Sequence, residues 1–164
     1  MTSYLRIDTP LGPMIAVEDH GALGALDFTD ARYARPVAAD WREDPASPLL
    51  CDCARQLAEY FARRRRRFDL PLAPQGTPFQ RRVWDEIARV PYGTTLTYSQ
   101  LAERAGAPGA ARAAGAATGR NPLAIVVPCH RVVGAHGDLT GYAGGVERKA
   151  RLLSLEGALE EAAA

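Results

Sequence analysis

The stretch 124-AIVVPCHRVVG-134 sets a cysteine and a histidine side by side, behind a proline and between branched aliphatics. By its apolar run it reads as a buried strand. A strand is an unusual place for a nucleophile and a proton acceptor. Cysteine reacts as the thiolate, and a nearby histidine can take its proton. Neighbours on a strand point to opposite faces. His130 therefore reaches the Cys129 sulfur only if the chain bends, which Pro128 favours, or through a bridging water. The imidazole then needs a third group to fix its tautomer, commonly a carboxylate, and Glu156 is a candidate. The plain alternative is a buried structural cysteine beside an incidental histidine.

Working outward, residues 76–164 read as mainly helical. Thr77-Pro78-Phe79-Gln80 is a capping box with proline at the first helical position. Phe79, Val83, Ile87 and Val90 follow at helical spacing, and "PYG" stops the helix. Thr97-Tyr98-Ser99-Gln100 is a second capping box, opening a short helix that ends at Gly106. "APGAARAAGAATGRNP" predicts a third helix built almost wholly of alanine and glycine. Two short helices joined by a tight Gly/Pro turn give a helix-turn-helix outline. After the quoted stretch come a "GAHGDLTGYAGG" loop and a last helix over "VERKARLLSLEG", with Gly157 as its cap.

Residues 1–75 read differently. Residues 3–28 alternate apolar and polar, broken by "TPLGP" and "DHGAL", which predicts two or three antiparallel strands with tight turns. "TDARYARPVAADWREDPAS" reads as loop. "PLLCDCARQLAEYFARR" reads as a helix started by Ser47-Pro48, with Leu50, Leu57, Tyr60 and Phe61 near one face. "FDLPL" is a short extended piece. "APQGTP" is a linker that puts a domain boundary near residue 75. The fold class expected is α/β: a small N-terminal antiparallel sheet with a helix (1–75), then a mainly helical domain with a helix-turn-helix (76–164).

The 164 residues carry 20 basic and 19 acidic side chains, a net charge of +1, so any binding to a polyanion must come from a local patch. Lys149 is the only lysine. Three cysteines, an odd number outside any small secreted framework, point to reduced thiols and a cytoplasmic protein. No signal peptide and no membrane-length apolar run is visible. Cys51 and Cys53, two apart on a helix, do not share a face. A metal site with His20 is therefore a poor fit, and no metal is expected. Arg63 to Arg67 form a run of five arginines that reads as a solvated loop complementing a helix C-terminus, or as a non-specific phosphate contact. His136 reads as surface loop.

The alanine-rich helix bears on function. An ordinary helix is ~10 Å across, while the minor groove of B-DNA is ~6 Å wide. A helix trimmed to alanine and glycine is thin enough for a widened minor groove, and Arg112 stands on it as a lone long side chain that could enter among base steps. The alternative is that small residues let two helices pack closely. Asn121-Pro122 is a turn former whose amide could also reach into a site, and Tyr98 is either core or a phenol donor.

Taken together, Tyr98, "GAARAAGAATGRNP", "IVVPCHRVV", "TGYAGG" and "RKARLLSLEG", in this order and spacing, closely resemble the O(6)-alkylguanine-DNA alkyltransferases of bacterial type. The match is clear from about residue 77 to 157; "TPLGPMIAVEDHGALGALDF" resembles the family's smaller domain less specifically. The resemblance implies direct, single-turnover repair of double-stranded DNA, bound through its minor groove, by a monomer that needs no cofactor. Damaged guanine flips out, and the alkyl group moves irreversibly from O(6) to Cys129; O(4)-alkylthymine is a further substrate. His130 would act as base through a water, with Glu156 orienting it. Asn121 would hold the site and Tyr98 would donate to the base. Arg112 would fill the gap, with Thr97, Ala113, Gly115 and Arg120 also at the DNA. Tyr142, Ala143, Gly144 and Val132 would line the pocket. Two departures, Leu123-Ala124 where some members have a proline and Ala143 where others have serine, bear on pocket size.

Three rivals differ in observable ways. A recognition protein without transfer activity would release the lesion unaltered, and members of that kind replace the cysteine. A Cys-His hydrolase would turn over repeatedly and need an oxyanion site, which no motif suggests. A self-methylating transcription regulator normally carries an extra N-terminal module.

Overall fold

A computed structural model describes residues 2–159. The chain forms two compact units. One runs to Gln75 and takes in Pro122–Ala124; the other takes Gly76–Asn121 and the chain from Ile125 onward.

In the first unit, strands β1 (Ser3–Thr9), β2 (Gly12–Asp19) and β3 (Ala22–Phe28) form an antiparallel meander. The β2–β3 turn has both central residues at positive φ, His20 at 52° and Gly21 at 78°. That geometry matches the right-handed twist of the strands. Met14, Ala16, Leu23, Ala25 and Phe28 are buried. Helix α1 (Pro48–Phe61) packs on the three strands. Its start is capped as the sequence predicts: Ser47 Oγ accepts from Leu50 N at 3.2 Å. Its buried face is Leu50, Cys53, Gln56, Leu57 and Tyr60, while Phe61 is only half-buried. The segment read wholly as loop contains a two-residue strand, β4 (Arg42–Glu43), pairing parallel with β1. So short a strand carries no alternation to read. "FDLPL" ends in a bridge of Leu72 to Leu23, and the later Leu123 bridges Leu26.

In the second unit, both capping boxes close. Thr77 and Gln80 cap α2 (Pro78–Ala88), and Thr97 and Gln100 cap α3 (Tyr98–Arg104). The third helix is shorter than its sequence suggests, α4 (Ala111–Gly119), because Gly106 and Gly109 at φ 79° and 81° keep its approach as turn. Helices α2, α3 and α4 pack on one another. Ala114 and Ala117 are buried, and Trp84 Nε1 donates to Ala117 O at 2.8 Å.

The stretch 124–134 is not a strand. Residues 124–126 are turn, Cys129–Arg131 is one turn of 3-10 helix, and only Val132–Val133 (β6) is extended. β6 pairs parallel with β5 (Leu96–Thr97), opposite Leu96 and Thr97. This pairing joins the chain just after Cys129-His130-Arg131 to the chain just before Tyr98.

The last helix, α5 (Val146–Leu155), ends in a Schellman motif. Ala158 N donates to Leu153 O at 2.9 Å and Gly157 N to Ser154 O at 3.1 Å, with Gly157 at φ 78°. A Cβ on Gly157 would meet nothing within 4 Å, so Gly157→Ala should cost only the left-handed backbone penalty, ~1 kcal/mol. Urea denaturation checks this; a loss beyond about 3 kcal/mol would show that the turn carries more than backbone strain.

Candidate active site

The approach to Cys129 is set by a tight bend. Pro128 at φ −81°, ψ 64° is the centre of an inverse γ-turn, closed by Cys129 N donating to Val127 O at 2.8 Å. Asn121 Nδ2 donates to the same carbonyl, also at 2.8 Å. Arg131 N then donates to Pro128 O, starting the 3-10 turn. Ile125, a buried β-branched residue, sits at φ 71°. Strain of that kind persists only where its surroundings over-determine it. The bend expected at Pro128 is thus real, and it replaces the strand up to Arg131, leaving only Val132–Val133 extended.

Behind Cys129, three donors converge on one carboxylate. Glu156 Oε2 receives His130 Nε2 at 2.7 Å and Arg131 Nη2 at 3.0 Å, and Oε1 receives Arg131 Nε at 2.8 Å. Arg131 Nη1 donates to Val90 O at 2.7 Å, and its guanidinium stacks 5.6 Å from the Tyr92 ring centre. All three residues of the ion cluster are buried, His130 completely. Burial alone would raise the Glu156 carboxyl; the hydrogen bonds and charges of His130 and Arg131 outweigh it and hold it at about 2. Burial first, then the Arg131 and Lys149 charges, push His130 down against the pull of Glu156. The cluster is therefore a carboxylate, a guanidinium and a neutral imidazole. With Nε2–H donated to Glu156, the imidazole's lone pair is on Nδ1, and Nδ1 has no hydrogen-bond partner among the described residues. A buried acceptor in that state can take a proton.

The loop before α5 is held by two side chains. Tyr98 Oη donates to Thr140 O at 3.0 Å. Lys149 Nζ donates to the same oxygen at 3.3 Å and to Gly141 O at 3.2 Å, and lies 5.7 Å from the centre of the Tyr98 ring. Lys149 is 0 % exposed. Burial lowers it to about 8, with a thiolate at Cys129 pulling the other way. Burial and then the same Cys129 charge push the Tyr98 phenol up, which keeps it a donor at neutral pH. Cys129, Tyr98 and Lys149 thus feel one another electrostatically.

The remaining expected residues fall into two places. Tyr142, Ala143 and Gly144 are half-buried on this loop, while Val132 in β6 is wholly buried. On α4, Arg112 and Ala113 are exposed, and Arg120 is exposed at its C-cap. Gly115 is half-buried; a Cβ there would sit 3.6 Å from the Tyr98 ring, so this position faces the site as well as the helix surface. Thr97 Oγ1 is engaged as the α3 cap, accepting from Gln100 N. His136 is exposed, and so is Cys51, whereas Cys53 is buried and pushed up to about 12 by burial and by Asp52. Among the described residues no three His, Cys, Asp or Glu side chains gather to hold a metal. Sequence reasoning missed Arg131 and Lys149. The signals were present: a charged residue inside an apolar run, and the only lysine, placed at i with Leu152, Leu153 and Glu156 at i+3, i+4 and i+7.

Two family models match the chain: the 6-O-methylguanine DNA methyltransferase ribonuclease-like domain over residues 3–74, and the DNA binding domain of the same name over 78–158. The chain belongs to the 6-O-methylguanine DNA methyltransferase family. Relatives named methylated-DNA–protein-cysteine methyltransferase bear this out. One from Mycolicibacterium paratuberculosis is 46 % identical over 95 % of this chain and 93 % of its own. The constitutive one from Bacillus subtilis is 42 % identical over 95 % and 96 %. Among solved structures, Mycobacterium tuberculosis OGT in complex with DNA superposes with a TM-score of 0.87 at 46 % identity, covering 94 % of this chain and 92 % of that one.

The buried cluster makes a pH-resolved prediction. Glu156 lies at about 2 against 4.5 for a free carboxyl, so its ionised form contributes stability complete above pH 4.5 and lost as pH falls toward 2. His130 is lowered from 6.5, so protonation of the unfolded chain erodes stability from pH 6.5 downward. At 1.36 kcal/mol per pH unit, Glu156→Gln should cost about 3 kcal/mol at pH 7. It should also flatten the stability profile below pH 4.5. Urea melts at several pH values test this; a loss of the same size at pH 3 and pH 7 would count against the ionic cluster.

Proposed function

We propose that this chain repairs O(6)-alkylguanine in DNA by moving the alkyl group onto its own Cys129, directly and once per molecule. The observation that carries this is the buried His130 whose Nε2–H is fixed by Glu156 and whose Nδ1 is left open, one residue from a cysteine in a family of DNA methyltransferases.

The chemistry follows. His130 Nδ1 takes the thiol proton through a water, and the imidazolium so formed is stabilised by the Glu156 carboxylate. The Cys129 thiolate attacks the alkyl carbon, the carbon–O(6) bond breaks, and guanine leaves with the bonding pair. Its developing negative charge needs a proton donor, and the Tyr98 phenol is one. In the free protein that phenol is spent on Thr140 O. When it turns to the base, the carbonyl keeps its bond from Lys149, so donation leaves no buried acceptor unpaired. A stacked base cannot reach a buried thiol, so the nucleotide must be extruded. The thin α4, with Arg112 and Ala113 exposed on it, suits the minor groove, Arg112 replacing the extruded base. Asn121 holds the Val127 carbonyl and through it the turn that presents Cys129. Tyr142, Ala143, Gly144 and Val132 form the pocket. O(4)-alkylthymine, with its alkyl group on a comparable oxygen, is the second substrate in this proposal. The minor-groove contact and the chemistry belong to residues 76–164. The protein acts as a cytoplasmic monomer in this reading, and no helix of the described residues is long and apolar enough to cross a membrane. No step calls for a cofactor.

Recognition without transfer is the weaker alternative, since the curated relatives are named as transferases and the cysteine is in place. Intact mass after incubation with a duplex holding one O(6)-methylguanine decides between them. Transfer adds one methyl group, mapped to Cys129 and absent with Cys129→Ala, which should still bind DNA. Tight lesion binding with no added mass would point to recognition alone.

Lys149 gives a second test. Its ammonium is present below about pH 8 and lost as pH rises through it. The titratable groups around it are Cys129, Tyr98 and His130. Transfer should fall on the alkaline side in the wild type. Lys149→Met should be slower by roughly tenfold at pH 7, the worth of a hydrogen bond to a charged group, and should lack that alkaline fall. An unchanged pH profile in the variant would remove Lys149 from the mechanism.

A further inference from the structure

The five arginines at 63–67 take no part in the chemistry above. They follow α1, which ends in the same Schellman pattern as α5: Arg63 N donates to Tyr60 O at 3.0 Å and Arg64 N to Glu59 O at 2.8 Å. Here the left-handed position holds Arg63, at φ 62°, where glycine would be relaxed. The loop beyond is pinned. Arg65 folds back, Nε donating to Glu59 Oε1 at 2.9 Å and Nη1 to Arg67 O at 2.9 Å. Gln56 clamps Asp69 from both sides, receiving its N–H at 2.8 Å and donating to its carbonyl at 2.9 Å. The result is a fixed turn presenting Arg63, Arg64, Arg66 and Arg67 to solvent. Among the described residues the Arg64 and Arg67 guanidinium groups carry no carboxylate partner.

A run of like charges held in a rigid turn, one residue of it strained, costs stability and asks for a counter-charge. With a net charge of +1 the molecule has no general field to draw a polyanion, so a local cluster must supply it. Guanidinium groups match phosphodiester oxygens in pairs of hydrogen bonds. We propose that Arg64 and Arg67 form a second, sequence-independent contact to the DNA phosphate backbone, carried by the N-terminal unit. This rests on the reading that duplex DNA is the substrate.

The test uses the whole protein and undamaged duplexes of two lengths, one about a helical turn and one several turns long. Affinity is followed by fluorescence anisotropy against salt. Each lost phosphate contact lowers the slope of log K against log salt by ~0.9, so the Arg64→Gln/Arg67→Gln variant should lose about 2 from its slope. Arg32→Gln/Arg42→Gln, an equal loss of charge on exposed residues of the same unit, should lose nothing. A change on the long duplex alone puts the contact on flanking DNA, and a change on both puts it within one helical turn of the groove contact. An unchanged slope on both, or an equal change in the control variant, overturns the proposal. Methyl transfer from free O(6)-methylguanine base should be the same in all variants. Absence of that transfer in the wild type would instead strike the function proposed above.

Discussion

One carboxylate, buried and shared, decides how the second unit is organised. Removing Glu156, His130 and Arg131 from water is expensive, and such a cluster holds only if every lone pair and proton finds a partner. The geometry meets that condition nearly in full: two guanidinium bonds, one imidazole bond, and a further bond from Arg131 to Val90 O. The one side-chain nitrogen or oxygen of the cluster left without a partner among the described residues is His130 Nδ1. The demand for complete pairing therefore does two things at once. It locks the 3-10 turn Cys129–Arg131 against the end of α5, and it singles out the nitrogen able to accept a proton.

Helix α5 serves this arrangement against its own electrostatic preference. Cations favour the C-terminal end of a helix and anions the N-terminal end. α5 has its buried lysine one turn from the start and its buried glutamate at the C-cap. Between them lie Leu152 and Leu153, fully buried. The stripe is thus apolar in the middle and ionic at both ends, over ~10 Å of helix. Local rules are broken in this way where tertiary demands outweigh them. One end fixes the imidazole, and the other holds the loop carbonyls of Thr140 and Gly141.

Much of the fold was legible because it is written in local chemistry. Thr77 and Thr97 with their glutamines, Ser47 before Pro48, and Gly157 after Leu155 each announce a helix end through a bond made within a few residues. The β2–β3 hairpin is announced by His20-Gly21. The exception is the segment around Cys129. Apolar periodicity cannot distinguish a strand from a γ-turn followed by 3-10 helix when every side chain is buried for other reasons. What breaks the strand is a pair of donors on Val127 O, one of them the side chain of Asn121 six residues back. The positive φ of Ile125 is equally invisible in its identity. β4 and the pairing of Leu26 with Leu123 escaped because so short a partner carries no pattern. Cys129, His130, Asn121 and Glu156 were legible as candidates from chemistry and family resemblance. Arg131 and Lys149 were passed over because burying a charge is unfavourable until its partners are known, and those partners come from other elements.

The burial of Lys149 has a consequence for anyone handling the protein. It is the sole lysine in 164 residues, and it is 0 % exposed. The folded surface accordingly offers no ε-amine. Acylating reagents, amine-directed crosslinkers and lysine-dependent conjugation meet a side chain that reacts only when the loop over α5 opens. Such reagents then become gauges of that opening, each labelled lysine marking a molecule whose Thr140–Gly141 loop had come away from α5.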